Sequence, residues 1–277
     1  MKTNSIIAIT LLAGSFFAFN ANAQLKLNTR ALKAGGNAVK AATISDADAA
    51  TLAKQSVDWM DANNPVADDN DPYTTRLNKI FGKHKDEDGL TLNYKVYKVT
   101  DINAFACADG SVRVFSALMD MMSDDELLAV IGHEIGHVKN HDTRDAMRAA
   151  YKRAAIADGA ASQSGAVATL TDSQLGEMAN AILGAKFSRA QESEADLYSY
   201  AFLKRNNYNV MGEVSAFRKL TKLSEGAQQS KLQKMTSSHP DSEQRAATIE
   251  GMAKKDGLYK EPASAIARPA ITEYKKA

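Results

Sequence analysis

Two histidines four residues apart, with a glutamate directly after the first, constrain this chain more than any other feature: His133-Glu134-Ile135-Gly136-His137. On a helix, positions four apart share a face, so both imidazoles can grip a single metal ion. Glu134 lies one residue along from His133, where its carboxylate can reach a metal-bound water without ligating the metal. It is the candidate general base, and the pattern points to metalloprotease chemistry. The flanking sequence supplies the helix. Ser123-Asp124-Asp125-Glu126 has the form of a capping box, so a helix is predicted to start at Asp124. Leu127, Leu128, Val130, Ile131, Ile135 and Val138 give it a broad apolar surface, which places it inside a domain. With five histidines in 277 residues, a chance match to this spacing is on the order of one per cent per chain.

A catalytic zinc takes three protein ligands and keeps one position open. His141 is eight residues from His133, about 12 Å along one straight helix, whereas zinc–nitrogen bonds are about 2 Å, so it cannot join the pair. Asn140 and Thr143 stand where the longer His-Glu-x-x-His-x-x-Gly-x-x-His pattern has Gly and His. The third ligand is therefore sought on another helix. The best candidate is Glu192, in Ser188-Arg189-Ala190-Gln191-Glu192-Ser193-Glu194-Ala195-Asp196. Asp196 shares its helical face, one turn away, where it can hydrogen-bond the far nitrogen of a ligating histidine and fix its tautomer. Two histidines, one carboxylate and an open position suit zinc, one ion per chain.

The first residues read as an export signal. Lys2 is a minimal positive region, Ile6 to Phe19 is apolar, and Ala21-Asn22-Ala23 is a small-x-small cleavage site, so residues 1–23 are expected to be removed. The apolar stretch is shorter than the roughly 20 residues a membrane span needs. No Cys follows it to carry an N-terminal acyl anchor, so any membrane association is expected to be non-covalent. The single cysteine, Cys107, reads as a small buried hydrophobe and cannot form an intramolecular disulfide. With 34 Lys and Arg against 33 Asp and Glu, there is no electrostatic case for nucleic acid.

Along the chain, residues 24–44 are expected to be a weakly ordered lead-in, 45–256 one catalytic domain and 257–277 a disordered tail. Helices are predicted over Asp46–Asn63 and Tyr73–Phe81, separated by a loop rich in Asp, Asn and Pro. A half-buried strand is predicted from Leu90 through Val99. Asn103–Ala106 and Ser111–Ser116 should be two further strands, joined around Asp109-Gly110. Beyond His141 the chain reads as helical: Asp142–Ala157, a Gly/Ser/Ala stretch over 158–169, then Asp172–Asn206, Met211–Glu225 and Asp241–Lys254. The fold class expected is α+β: a mostly helical zincin-like domain with a small, partly antiparallel sheet beside the metal helix.

His133-Glu134-x-x-His137 followed by Glu192-x-x-Ala195-Asp196 resembles the Ste-type and HtpX-type zinc endopeptidases, which are gluzincins. Asn103-Ala104-Phe105-Ala106, Val112-Arg113-Val114, Gly132-His133-Glu134, Phe187-Ser188 and His239-Pro240 are similar to the soluble, exported branch of that family. The resemblance spans roughly Asn93 to Arg245. It implies that Asn103, Ala104, Phe105 and Ala106 form an edge strand by the cleft, to which an extended substrate adds its backbone. It also implies a role for His239 in the His-Pro-x-x-x-x-Arg pattern ending at Arg245, either guarding the zinc or stabilising the tetrahedral intermediate. From the residues alone, His239-Pro240-Asp241 is a helix start. Cys107 and Asp109 depart from what relatives often carry after the edge strand. The expected function is cleavage of unfolded or extended polypeptides in the bacterial cell envelope, as protein quality control. A rival is a client-binding, chaperone-like or assembly factor that uses the same cleft around a latched or structural zinc. The partners expected are polypeptide substrates and, non-covalently, membrane or envelope assembly proteins.

Overall fold

A computed structural model describes residues 45–158, 170–224, 239 and 242–261. The expected leader and lead-in, nearly all of the Gly/Ser/Ala stretch, Pro240-Asp241 and most of the tail lie outside the described residues. Among the described residues no helix is long and apolar enough to cross a membrane.

The chain opens with α1 (Asp46–Asn63) and α2 (Pro72–Phe81), and continues through strands β1 (Asp86–Glu87), β2 (Leu90–Thr91), β3 (Asn93–Tyr97), β4 (Ala104–Ala106) and β5 (Ser111–Phe115). Helices follow: α3 (Ser116–Met121), α4 (Asp124–Lys139), α5 (Asp142–Asp158), α6 (Asp172–Leu183), α7 (Arg189–Arg205), α8 (Met211–Ser224) and α9 (Ser242–Lys255). This is the mostly helical α+β architecture expected.

Two predicted elements are divided. The strand expected over Leu90–Val99 is split, because Asp88 and Gly89 both take positive φ and fold β1 and β2 into a separate antiparallel pair. The helix expected over Asp172–Asn206 is broken in two. Gly184 caps α6, its N–H donating to the Asn180 carbonyl, and Ser188 opens α7 with a capping box to Gln191. That break sets Glu192 in the first turn of α7.

The main sheet has the order β3-β5-β4, with β3 parallel and β4 antiparallel to the central β5. Gly110 turns the β4–β5 hairpin at φ 84°, where any side chain would meet the Thr91 carbonyl. The sheet is buried on both faces, and the period of two sorts its residues cleanly. Val96, Ala104, Ala106, Val112 and Val114 enter the core around α4. Tyr97, Phe105 and Phe115 enter a second core with α1, α5 and α6. Asp61 of α1 fastens that second layer: its carboxylate accepts from Arg113 at 2.8 and 2.9 Å, Lys95 at 2.7 Å and the Tyr97 hydroxyl at 2.7 Å. Burial works against the charge on Asp61, but these donors bring its pKa down to about 2.

Helix α4 runs between the sheet and α7. Its Ser123 capping box forms as expected, and Glu126 also takes the buried Lys219 ammonium and the Ser215 hydroxyl of α8. Against α7 the contact is backbone-close. A methyl group at Gly132 would lie 3.1 Å from Phe202 Cδ1, and one at Gly136 would lie 3.0 Å from both Cα and O of Ala195. Glycines four apart on α4 thus receive Ala195 and Ser199, four apart on α7, and the Ser199 hydroxyl donates to the Ala129 carbonyl at 2.9 Å.

Candidate metal centre

The close approach of α4 and α7 brings His133, His137 and Glu192 together, and His239 joins them. One ligand atom from each of the four lies within 4.8 Å of the others. Nε2 of His137 is 3.1 Å from Nε2 of His133 and 3.3 Å from Glu192 Oε1, while His133 Nε2 is 3.7 Å from Glu192 Oε2.

The far nitrogens are both tied to carboxylates. His133 Nδ1 lies 2.9 Å from Asp196 Oδ1, and His137 Nδ1 lies 2.9 Å from Asp142 Oδ2. A carboxylate accepts, so Nδ1 of His137 carries a proton toward Asp142, while Nδ1 of His133 faces both Asp196 and the Arg245 guanidinium, whose NH2 lies 3.2 Å away. The two Nε2 atoms and the Glu192 carboxylate then converge in a buried space, an arrangement that fits a cation such as zinc. The carboxylates by themselves call for positive charge here, which an ion or a proton on His137 can supply. Burial disfavours charge on His137, yet the Asp142 and Glu192 carboxylates raise its pKa to about 9. His133 goes the other way, pushed well down by burial and by the Arg245 and His137 charges. Burial also opposes the Glu192 carboxylate, but His137 and His239 hold its pKa well below the usual range.

Asp196 lies one turn from Glu192, beside Nδ1 of His133. Arg245 of α9 braces both acids, with Nε 2.8 Å from Asp196 Oδ2 and NH1 2.5 Å from Glu192 Oε2. Its guanidinium also stacks over Phe217, 4.2 Å from the ring centroid. Asp142 was missed by sequence reasoning. His141, too far along the helix to ligate, takes φ 66° and reverses the chain after α4, which returns Asp142 to His137. Gln191 then donates to the other Asp142 oxygen at 2.8 Å. The available signal was a carboxylate just past the helix end, but only the left-handed turn gives it a direction. Phe187 stacks on the His137 ring at 3.9 Å and 17°, fixing its plane.

Glu134 is buried beside this cluster, and burial raises its carboxyl pKa. His239 stands between it and the ligands: Nε2 is 3.6 Å from Glu134 Oε1, and Nδ1 is 3.0 Å from Glu192 Oε1 and 3.2 Å from His133 Nε2. On the sheet side, β4 is an edge strand. The Asn103 carbonyl and the Cys107 N–H bond to β5, so the groups of Ala104 and Ala106 turn to the free edge, where the Ala104 N–H meets the Asn103 side chain at 3.0 Å. Cys107 is buried, and burial pushes its thiol pKa well up, as suits an inert wall residue.

Comparison with known proteins places this geometry. Residues 77–253 match the profile of Peptidase family M48. Over 220 residues the chain is 44% identical to Metalloprotease YcaL of Escherichia coli (strain K12), covering 79% of this chain and 85% of that protein. Over 228 residues it is 41% identical to Metalloprotease LoiP of the same organism, covering 82% and 89% respectively. A shorter match, 43% identical over 56 residues and 18% of this chain, reaches a Protease HtpX homolog of Streptococcus uberis. The buried His-His-Glu cluster and these alignments agree: the chain belongs to peptidase family M48 and is a metalloendopeptidase.

Proposed function

We propose that this chain is a zinc-dependent endopeptidase that cleaves unfolded or extended polypeptides in the bacterial cell envelope. The observation that carries the reading is the convergence of two imidazole nitrogens and one carboxylate beside Glu134, at a cleft bordered by the β4 edge. Held by His133, His137 and Glu192, zinc would polarise the scissile carbonyl and lower the pKa of the attacking water. The rest falls to side chains. Glu134, its pKa raised by burial, takes the water's proton on its carboxylate and returns it to the departing amine. The edge groups of Ala104 and Ala106 bind the substrate backbone as an added strand, a mode open to a chain that is locally extended. Asp196 and Asp142 hold the two imidazoles in their ligating tautomers, and Arg245 holds Asp196 and Glu192. Placement in the envelope, and with it a part in quality control, is supported by the leader pattern of residues 1–23.

His239 supports two readings. Its proximity to Glu134 fits a donor to the developing oxyanion. Its Nδ1, 3.0 Å from Glu192, fits equally a fourth ligand that latches the centre until a client displaces it. The test is one experiment: zinc-loaded chain from Gln24, with its Glu134→Gln and His239→Ala variants, is incubated with an unfolded protein while zinc content is measured. Cleavage by the wild type, with activity down about 10²-fold or more in Glu134→Gln at equal zinc, is expected. No cleavage by the wild type or Glu134→Gln despite bound zinc refutes constitutive proteolysis. Higher activity in His239→Ala then identifies a latch, and continued inactivity favours the client-binding rival. If the wild type is active, lower activity in His239→Ala assigns the oxyanion role.

A further inference from the structure

The opening turn of α7 does more than supply Glu192. Ser188 caps the helix and Gln191 completes the box: its backbone N–H donates to Ser188 Oγ at 3.3 Å, and its side-chain oxygen accepts the Ser188 N–H at 2.9 Å. That second bond fixes the amide. A backbone N–H can only donate, so the Gln191 oxygen faces Ser188 and the nitrogen faces the other way. There it donates to Asp142 Oδ1 at 2.8 Å, while Asp142 Oδ2 lies 2.9 Å from His137 Nδ1.

These contacts close a ring. They run from His137 to Asp142, on to the Gln191 amide, along one peptide bond to Glu192, and back to His137, whose Nε2 lies 3.3 Å from Glu192 Oε1. The χ2 torsion of an aspartate is soft, so a carboxylate held by one bond turns easily, and a second bond on its other oxygen fixes its plane. Asp142 is buried, so an oxygen that lost its donor would be left unsatisfied. The helix cap does not explain the amide. Glutamate serves a capping box as well as glutamine does. It has no N–H for Asp142, however, and would set one carboxylate against another.

Resting on the zinc reading above, we infer that Gln191 is a positioning residue of the metal centre, which acts through Asp142 to orient His137. The turn that carries one ligand thereby aims another, borne by a different helix.

The test is a double-mutant cycle in the chain from Gln24: wild type, Gln191→Glu, Asp142→Asn and the double variant. Chelator competition reads zinc affinity, and the visible absorption of the cobalt-loaded protein reads ligand geometry. Gln191→Glu keeps the cap and loses the bond to Asp142, so zinc affinity should fall about 10- to 100-fold and the cobalt bands should shift. Asp142→Asn should lose a similar factor. In the double variant donor and acceptor change places: the new amide at 142 donates to the new carboxylate at 191, its oxygen still accepts from His137, and net charge equals that of the wild type. The double variant should therefore bind zinc more tightly than either single one, whereas independent losses would multiply. Gln191→Met, similar in length and uncharged, should also bind zinc more weakly, and it decides the matter if Gln191→Glu fails to fold. Wild-type affinity in a folded Gln191 variant, or a double variant no tighter than the singles, overturns the role of Gln191. A wild-type chain that binds no zinc overturns instead the reading on which that role rests.

Discussion

Replacing Gly136 by alanine tests whether the glycine face of α4 sets the metal centre. The new methyl would lie 3.0 Å from Ala195 Cα and O and 3.2 Å from Tyr198 Cβ. Ordinary carbon contacts lie at about 3.5–4.0 Å, so α7 has to withdraw by about 0.5 Å. Overpacking of this kind costs about 1–3 kcal/mol. Alanine returns about 1 kcal/mol through its better helix propensity. The net loss of stability is thus about 0–2 kcal/mol. Metal binding should suffer more, because Ala195 sits between Glu192 and Asp196 on the moving helix, and metal–ligand distances tolerate only about 0.2 Å. Zinc affinity is expected to fall about 10- to 100-fold, the loss typical of disturbed ligand support. Competition against a chelator measures the affinity, and thermal unfolding measures the stability. Gly251→Ala is the control, since a methyl there meets nothing within 4 Å. A Gly136→Ala protein with wild-type zinc affinity and an unchanged or higher melting temperature would refute the reasoning.

Two further perturbations test the surroundings of the centre. Asp142→Asn removes the carboxylate that orients His137 and should lower zinc affinity about 10- to 100-fold, read by the same chelator competition; an unchanged affinity would deny Asp142 that part. Glu213 of α8 is fully buried, neither oxygen has a hydrogen-bond partner among the described residues, and Ser199 gives its hydroxyl proton to Ala129. Burial and the Asp196 charge push the Glu213 pKa well above 4.5. A carboxyl raised in the folded state stabilises below its unfolded pKa and loses that contribution as pH rises toward the folded value. Glu213→Gln should therefore be more stable than wild type at pH 7, with the gain fading at and below about pH 4.5; denaturant unfolding at pH 7 and pH 4 would refute this if the difference were the same at both.

What could be read from the sequence was what local chemistry decides. Ser123 and Glu126 announce the start of α4 because a capping box needs only residues three apart. Glu192 and Asp196 were legible as a pair because helical spacing puts them on one face. The break before α7 was also written locally, in Gly184 and in the Ser188–Gln191 box, but the apolar residues on both sides made one long helix look continuous. Strand partners were not legible. Alternation reveals that β3 and β5 are strands, but nothing in the period of two distinguishes their parallel pairing from an antiparallel one. Arg113 could be noted as part of a motif, yet its partner Asp61 lies on α1, and only the packing of that helix on the sheet joins them. Asp142 belongs to the same class, since its direction depends on one left-handed residue, His141.

The glycine face that lets α7 lie against α4 also settles when the enzyme becomes dangerous. Neither helix carries a complete ligand set: α4 brings two histidines, α7 brings the glutamate, and they meet where Gly132 and Gly136 receive Ala195 and Ser199. A chain emerging from synthesis, or one melted by heat, holds the same residues and no assembled centre. Cutting power requires that packing and is lost with it, so such a protease is harmless in the unfolded form in which it would itself be a substrate.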